Sequence, residues 1–324
     1  MTIDEIWEYY REDLNAAETK IGKTLEVVEP AIAQVGNHLL SSGGKRVRPF
    51  LAIVSARLFG ARGDEVSTLA CSVEFIHSAS LIHDDVVDGA SIRRGGPSAH
   101  SVYGNQVVIL VGDFLYANAL RLANLLKRQT IMDALCTATA KMSEGELVQL
   151  SKTGSINITE DDYMKIIRGK TAILISAACQ GGAVLGNASG EQEAALAAFG
   201  LKFGYAFQMA DDILDYVAVE SRLGKRLGKD LEEGKITLPL INLLREVGDD
   251  ERDEIKKIIQ SDTLAETDLA YMNHLFKKHK SIEKSYEKAQ SFLNEAKAEL
   301  DIFDDSIEKE SLIALADYAV NRKK

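Results

Sequence analysis

Six aspartates fall into two triplets of identical spacing. Asp84, Asp85 and Asp88 lie in Ser80-Leu-Ile-His-Asp-Asp-Val-Val-Asp88, and Asp211, Asp212 and Asp215 lie in Phe207-Gln-Met-Ala-Asp-Asp-Ile-Leu-Asp-Tyr216. Helix positions four apart share a face, so Asp84 pairs with Asp88 and Asp211 with Asp215. Carboxylates set among apolar neighbours are costly to bury unless something pairs with them. A hard divalent cation is the natural partner. Mg²⁺ prefers oxygen ligands, keeps several waters, and takes one or two carboxylates together with phosphate oxygens.

The same pattern recurs at Asp249-Asp250-Glu-Arg-Asp253, which serves as a control. It follows Gly248 and is surrounded by charge, so it reads as the acidic first turn of an exposed helix. Asp161-Asp162 and Asp304-Asp305 read as helix starts or solvated faces. Apolar context and duplication, not the bare pattern, set the two triplets apart.

The elements that position them are helices. Proline occurs only at Pro30, Pro49, Pro97 and Pro239, and period-two alternation is almost absent. Apolar residues recur at three and four, as in Ile21, Leu25, Val28, Ile32, Val35 and Leu39, which predicts an all-α chain of long helices. Helices are expected near 3–17, 20–41, 50–59, 64–88, 104–126, 129–151, 160–186 and 191–219. Loops are expected at 89–103 and 220–235, with further helices over 236–322. No linker composition divides the 324 residues, so one domain over 1–324 is expected, with its motifs within about 35–240. The charged segment 249–324 reads as amphipathic covering helices.

Composition narrows the function. A net charge of −11 argues against a nucleic-acid groove. Cys71, Cys136 and Cys179 are widely spaced in apolar segments and are expected to be buried free thiols, which fits a reducing cytoplasm. Neither a signal peptide nor a membrane span is expected.

Two clusters of carboxylates and metal would need an anionic ligand to balance them, and diphosphate fits best. Such a site also needs direct cationic contacts. Loop positions supply candidates: Lys45, Arg46 and Arg48 in Gly43-Gly-Lys-Arg-Val-Arg-Pro49, then Arg93 and Arg94 after the first triplet. Lys170 and Thr171 follow, with Lys225, Lys229 and Lys235 after the second triplet. Gly-Lys-Thr at 169–171 is not a P-loop, because the upstream glycine and strand are missing.

Taken together, these motifs resemble the trans-isoprenyl diphosphate synthases, or polyprenyl synthetases. The resemblance rests on the Gly-Gly-Lys-Arg-Val-Arg-Pro turn, His77, both Asp motifs and Arg93-Arg94-Gly. It also rests on Gly145-Glu-Leu-Val-Gln149, Lys170-Thr171 and Gly234-Lys-Ile-Thr-Leu-Pro239. It implies a helical bundle around a deep apolar cavity. It implies that Mg²⁺ is held by Asp84, Asp88, Asp211 and Asp215, with Asp85 and Asp212 in support. Arg93, Lys170, Thr171, Gln208, Lys225 and Lys235 would hold an allylic diphosphate, farnesyl or geranyl. Lys45, Arg48, His77 and Arg94 would hold isopentenyl diphosphate. Arg226 departs from the family, which often has proline there; only loop stiffness is at issue.

The implied reaction extends the allylic chain by five carbons. Charge developing on the leaving diphosphate is stabilised by metal and lysines, and an apolar cavity keeps the allylic cation from water. No side chain is an obvious general base, so the departing diphosphate is expected to take the proton. His83, beside Asp84, reads as a residue that orients its helix. Ala79 and Ser80, five and four positions before Asp84, are small, where an aromatic would close the cavity. A medium or long product of octaprenyl type, for a quinone side chain, is therefore expected. The floor would be deeper, with Phe114, Leu115 and Tyr116 supplying bulk. A homodimer and transient membrane contact at product release are further expectations of the resemblance. The alternatives are a geranylgeranyl-length synthase, a terpene synthase, and a non-catalytic or partner-dependent subunit. Terpene synthases usually lack the second triplet, and a degenerate subunit should have lost aspartates that this chain keeps.

Overall fold

The computed structural model describes residues 1–26, 29–41, 46–93, 96–217, 229–261 and 265–321. Lys45, Arg94, Lys225 and Arg226 lie outside the described residues. Among the described residues the regular structure is helical apart from one two-stranded antiparallel ribbon, β1 (Ile92–Arg93) with β2 (Gly96–Pro97). The all-α expectation is met.

In chain order the helices are α1 Ile3–Tyr9, α2 Arg11–Glu26, α3 Pro30–Ser41, α4 Val47–Arg57 and α5 Asp64–Val87. Then come α6 Ala99–Tyr103, α7 Asn105–Leu125, α8 Gln129–Lys152 and α9 Glu160–Ile167, followed by a π-turn over Arg168–Ala172. Next are α10 Ile173–Leu185, α11 Gly190–Val217, α12 Lys229–Glu232 and α13 Leu238–Glu246. The last are α14 Asp249–Ile259, α15 Glu266–His279, α16 Ser281–Ala298 and α17 Ile307–Asn321. The expected helix over 160–186 is thus interrupted where Lys170 and Thr171 lie. Of the expected stripe, Ile21 and Leu25 fall on α2 and Ile32, Val35 and Leu39 on α3, while Val28 lies outside the described residues.

Two compact units arise. One comprises Met1–Ala140, Leu174–Gly200 and Glu299–Ala314; the other comprises Lys141–Ile173, Leu201–Ala298 and Leu315–Lys324. In the first, α5 is the core. From Val66 to Ala79 every residue except His77 is buried. A helix apolar on all sides must be enclosed. It runs antiparallel to α7, joined by Ser72 Oγ donating to the Ala119 carbonyl at 2.9 Å and His83 to that of Ile109 at 3.0 Å.

By length and composition α7 is long and apolar enough to cross a membrane, but it packs along α5 in the first unit, as a core helix does. Arg57 ties the α1–α2 region to the core through Asp13 at 2.7 Å, its guanidinium 4.7 Å from the Tyr10 ring centre. In the second unit Leu238, Leu240 and Leu243 of α13, Met272 and Phe276 of α15, and Ala289 and Leu293 of α16 are buried. The control triplet at Asp249 forms the first turn of α14, as expected. Cys71 and Cys179 are buried, but Cys136 is exposed, because it falls on the polar face of α8.

Candidate active site

The first Asp motif occupies the C-terminal end of α5. That end is fixed by Gly89, whose φ of +63° a side chain would disfavour. Its N–H donates to the Val86 carbonyl at 3.3 Å, and that of Ala90 to the Asp85 carbonyl at 3.1 Å. This is a Schellman closure, and it leaves Asp88 as the C-cap. Carboxylates at a helix C-terminus oppose the macrodipole. The last turn of α5 contains no basic residue, and neither does that of α11, which carries the second motif. Both helix ends therefore call for added positive charge.

The two motifs treat their middle aspartate alike. Asp85 is 4% exposed and Asp212 is 6% exposed, while Asp84, Asp88, Asp211 and Asp215 are half-buried. Asp85 is held by the Arg93 guanidinium, which also donates to the Leu81 carbonyl at 3.2 Å. Its Oδ2 is buried without a hydrogen bond from the described residues. Arg93, expected to hold diphosphate, thus sits on the protein's own carboxylate. Asp212 accepts from the Tyr163 hydroxyl at 2.6 Å and from Gln208 Nε2 at 2.8 Å.

Around the first motif, His83 ties the end of α5 to α7 through the Ile109 carbonyl. Its ring lies over Gly112, where an added Cβ would come within 2.0 Å of Nε2. Tyr116 stands beside it, ring centres 5.8 Å apart. Burial and then the Asp84 charge hold the Tyr116 phenol above its ordinary range. Tyr116 is therefore level with the motif, while Leu115 alone of the expected floor residues is fully enclosed. Arg48 and His77 meet at 3.2 Å. Arg46, at φ +46°, turns instead to buried Glu74 at 2.6 Å. Ala79 is fully buried, and Ser80 is half-buried with its hydroxyl on the His77 carbonyl at 2.9 Å.

In the second unit a pocket gathers Lys170, Gln208, Asp212 and Lys235 with Gln149, Tyr163 and Asp230. The motif Gly145-Glu-Leu-Val-Gln149 explains itself here. A Cβ on Gly145 would lie 2.9 Å from Gly169 Cα, and one on Gly169 would lie 2.6 Å from the Lys141 carbonyl oxygen. Only paired glycines let α8 and the π-turn touch backbone to backbone. Gln149 Oε1 and Glu146 Oε2 then receive Lys170 Nζ at 3.3 and 3.8 Å. Thr171 donates to Gln208 at 2.6 Å. The π-turn re-aims this segment so that successive side chains reach different partners.

Sequence reasoning missed Tyr163, Glu146 and Asp230. Asp230 was hidden in a run read for its lysines; its N–H donates to Asp215 Oδ2 at 3.0 Å. Burial, then the Asp230 charge, pushes Asp212 up to about 8. Burial, then Asp215, pushes Asp230 up to about 6, against the pull of Lys235 and Lys170. Carboxylates raised this way mark a place short of positive charge. Among the described residues no three His, Cys, Asp or Glu side chains converge on one metal position.

Residues 29–276 match the family described as polyprenyl synthetase. The chain is 37% identical over 322 residues to octaprenyl diphosphate synthase of Haemophilus influenzae, covering 99% of this chain and 98% of that one. It superposes on a solved decaprenyl diphosphate synthase from Rhodobacter capsulatus with a TM-score of 0.93, at 37% identity and 98% of both chains. A polyprenyl synthase from Caulobacter crescentus, solved with calcium and isoprenyl diphosphate, gives 0.92 at 36% identity, covering 100% of this chain and 98% of that one. With a family match through most of its length and relatives matched end to end, the chain belongs to the polyprenyl synthetase family.

Proposed function

We propose that this prenyltransferase condenses isopentenyl diphosphate with an allylic diphosphate, farnesyl or geranyl, and repeats the step to an all-trans product of octaprenyl length. The observation that carries this reading is the shared design of the two motifs. In each, the middle aspartate is buried and tied to the protein, and the outer two are half-buried on the same helix end. Asp84, Asp88, Asp211 and Asp215 would hold Mg²⁺, which when bound supplies positive charge for the diphosphate oxygens.

Lys170 and Lys235, with Thr171 and Gln208, hold the allylic diphosphate and lower the cost of its departure. Arg93, which holds Asp85, serves the same diphosphate. The allylic C–O bond breaks, the double bond of isopentenyl diphosphate forms the new C–C bond, and the released proton passes to the departing diphosphate. Arg48 and His77 hold the isopentenyl diphosphate. Lys45, Arg94 and Lys225 complete the cationic set. Apolar packing along α5 keeps water from the cation.

The whole chain acts as one domain in the cytoplasm, and the product serves quinone side chains. Exposed Val102, Ile109 and Leu110 on α6 and α7 suit cover by a second copy of the chain, and a water-insoluble product suits transient membrane contact at release. The test is diphosphate release from farnesyl and isopentenyl diphosphates, with and without Mg²⁺. Release that needs both substrates and stops on chelation supports the reading. Release from farnesyl diphosphate alone, with a cyclic hydrocarbon, would overturn it.

A further inference from the structure

Tyr163 has no part in the chemistry above, yet it is 2% exposed and donates to Asp212 over 2.6 Å. Gln208 takes the other Asp212 oxygen at 2.8 Å and is itself held by Thr171 at 2.6 Å. Both carboxylate oxygens of Asp212 are thus engaged within the protein. One turn before Gln208 on α11, a Cβ on Gly204 would lie 2.4 Å from Ala172 Cα. Gly204, Gln208 and Asp212 are spaced by four, so they form one stripe. Against it lie, in turn, Ala172, Thr171 and Tyr163. Close backbone approach fixes one end of this seam and the tyrosine fixes the other.

We infer that Tyr163 is a positioning residue: by clamping Asp212 it sets the roll of the last turns of α11, and with it the directions of Asp211 and Asp215. A phenol suits this task because its ring is a stiff spacer whose place is set by packing. The clamp also ties the second Asp motif to α9, whose chain continues directly into the π-turn bearing Lys170. The inference rests on the reading of Asp211 and Asp215 as metal-holding residues.

The test follows Mn²⁺ binding by electron paramagnetic resonance on the full chain with inorganic diphosphate, beside steady-state kinetics. Tyr163→Phe keeps the ring and removes the donor. It is expected to weaken Mn²⁺ binding at least fivefold and to raise the KM for farnesyl diphosphate, while the KM for isopentenyl diphosphate stays within twofold. Gly204→Ala forces the same seam apart at its other end and should weaken Mn²⁺ binding likewise, so the test survives if one variant fails to fold. Tyr10→Phe, which removes a buried hydroxyl remote in sequence from both motifs, should move neither quantity. Wild-type Mn²⁺ affinity retained in both clamp variants would overturn the positioning role and leave the metal reading standing. Equal rises in both KM values would reduce Tyr163 to a packing residue. Absence of Mn²⁺ binding by the wild type would remove the metal reading and the inference together.

Discussion

The Arg48 guanidinium and His77 Nε2 lie 3.2 Å apart, across a sequence separation of 29. Guanidinium has only donors, so His77 accepts at Nε2 and carries its proton on Nδ1. Two residues expected to bind isopentenyl diphosphate therefore form one unit, with the imidazole fixing the fork. Arg48→Lys and His77→Phe should each raise the KM for isopentenyl diphosphate about tenfold, roughly 1.4 kcal/mol of lost binding. Mn²⁺ binding should stay within twofold. Kinetics at saturating farnesyl diphosphate would read the first effect; parallel loss of metal binding would contradict this division of labour.

The outer aspartates should be far less replaceable than the control triplet. Asp84→Ala and Asp215→Ala should each lower turnover by roughly two to three orders of magnitude, the scale of removing one electrostatic stabiliser from a reacting centre. Asp249→Ala should stay within twofold of wild type, since Asp249 is exposed in the first turn of α14. Comparable losses at Asp84 and Asp249 would reject the assignment.

His83 and Gly112 form a second testable pair. Gly112→Ala places a Cβ within 2.0 Å of His83 Nε2 and must displace a ring pinned to the Ile109 carbonyl. Overpacking of this kind costs about 1–3 kcal/mol. Combining it with His83→Ala should recover part of the loss measured by urea denaturation. Strict additivity of the two substitutions would show that the contact does not matter.

Much of this was legible in the sequence, because charge placed against apolar periodicity is a local signal. The span of α5 and the first-turn role of Asp249 follow from where charge interrupts the apolar pattern. The break at residues 168–172 was not legible, because a π-turn leaves helical composition unchanged and its cause, Gly145 meeting Gly169, joins distant residues. Tyr163 and Asp230 stayed hidden for the same reason: their partners lie 49 and 15 residues away. The Arg93 contact with Asp85 was also invisible, since the sequence shows that the two are close but not that they pair.

Product length should answer to Ser80 and Ala79 differently. Ser80 is half-buried, so Ser80→Phe has room and should shorten the product with stability largely kept. Ala79 is fully enclosed, so Ala79→Tyr should cost about 1–3 kcal/mol of stability along with any shortening. Mass spectrometry of the products beside thermal unfolding would separate the two. An unchanged product spectrum in Ser80→Phe would contradict the steric account.

The most direct measurement incubates the purified chain with Mg²⁺, farnesyl diphosphate and isopentenyl diphosphate, and sizes the products by mass spectrometry. A ladder of five-carbon steps ending near octaprenyl diphosphate, made by this chain alone, is the expected result. A product that stops at geranylgeranyl diphosphate, or no elongation at all, would contradict it.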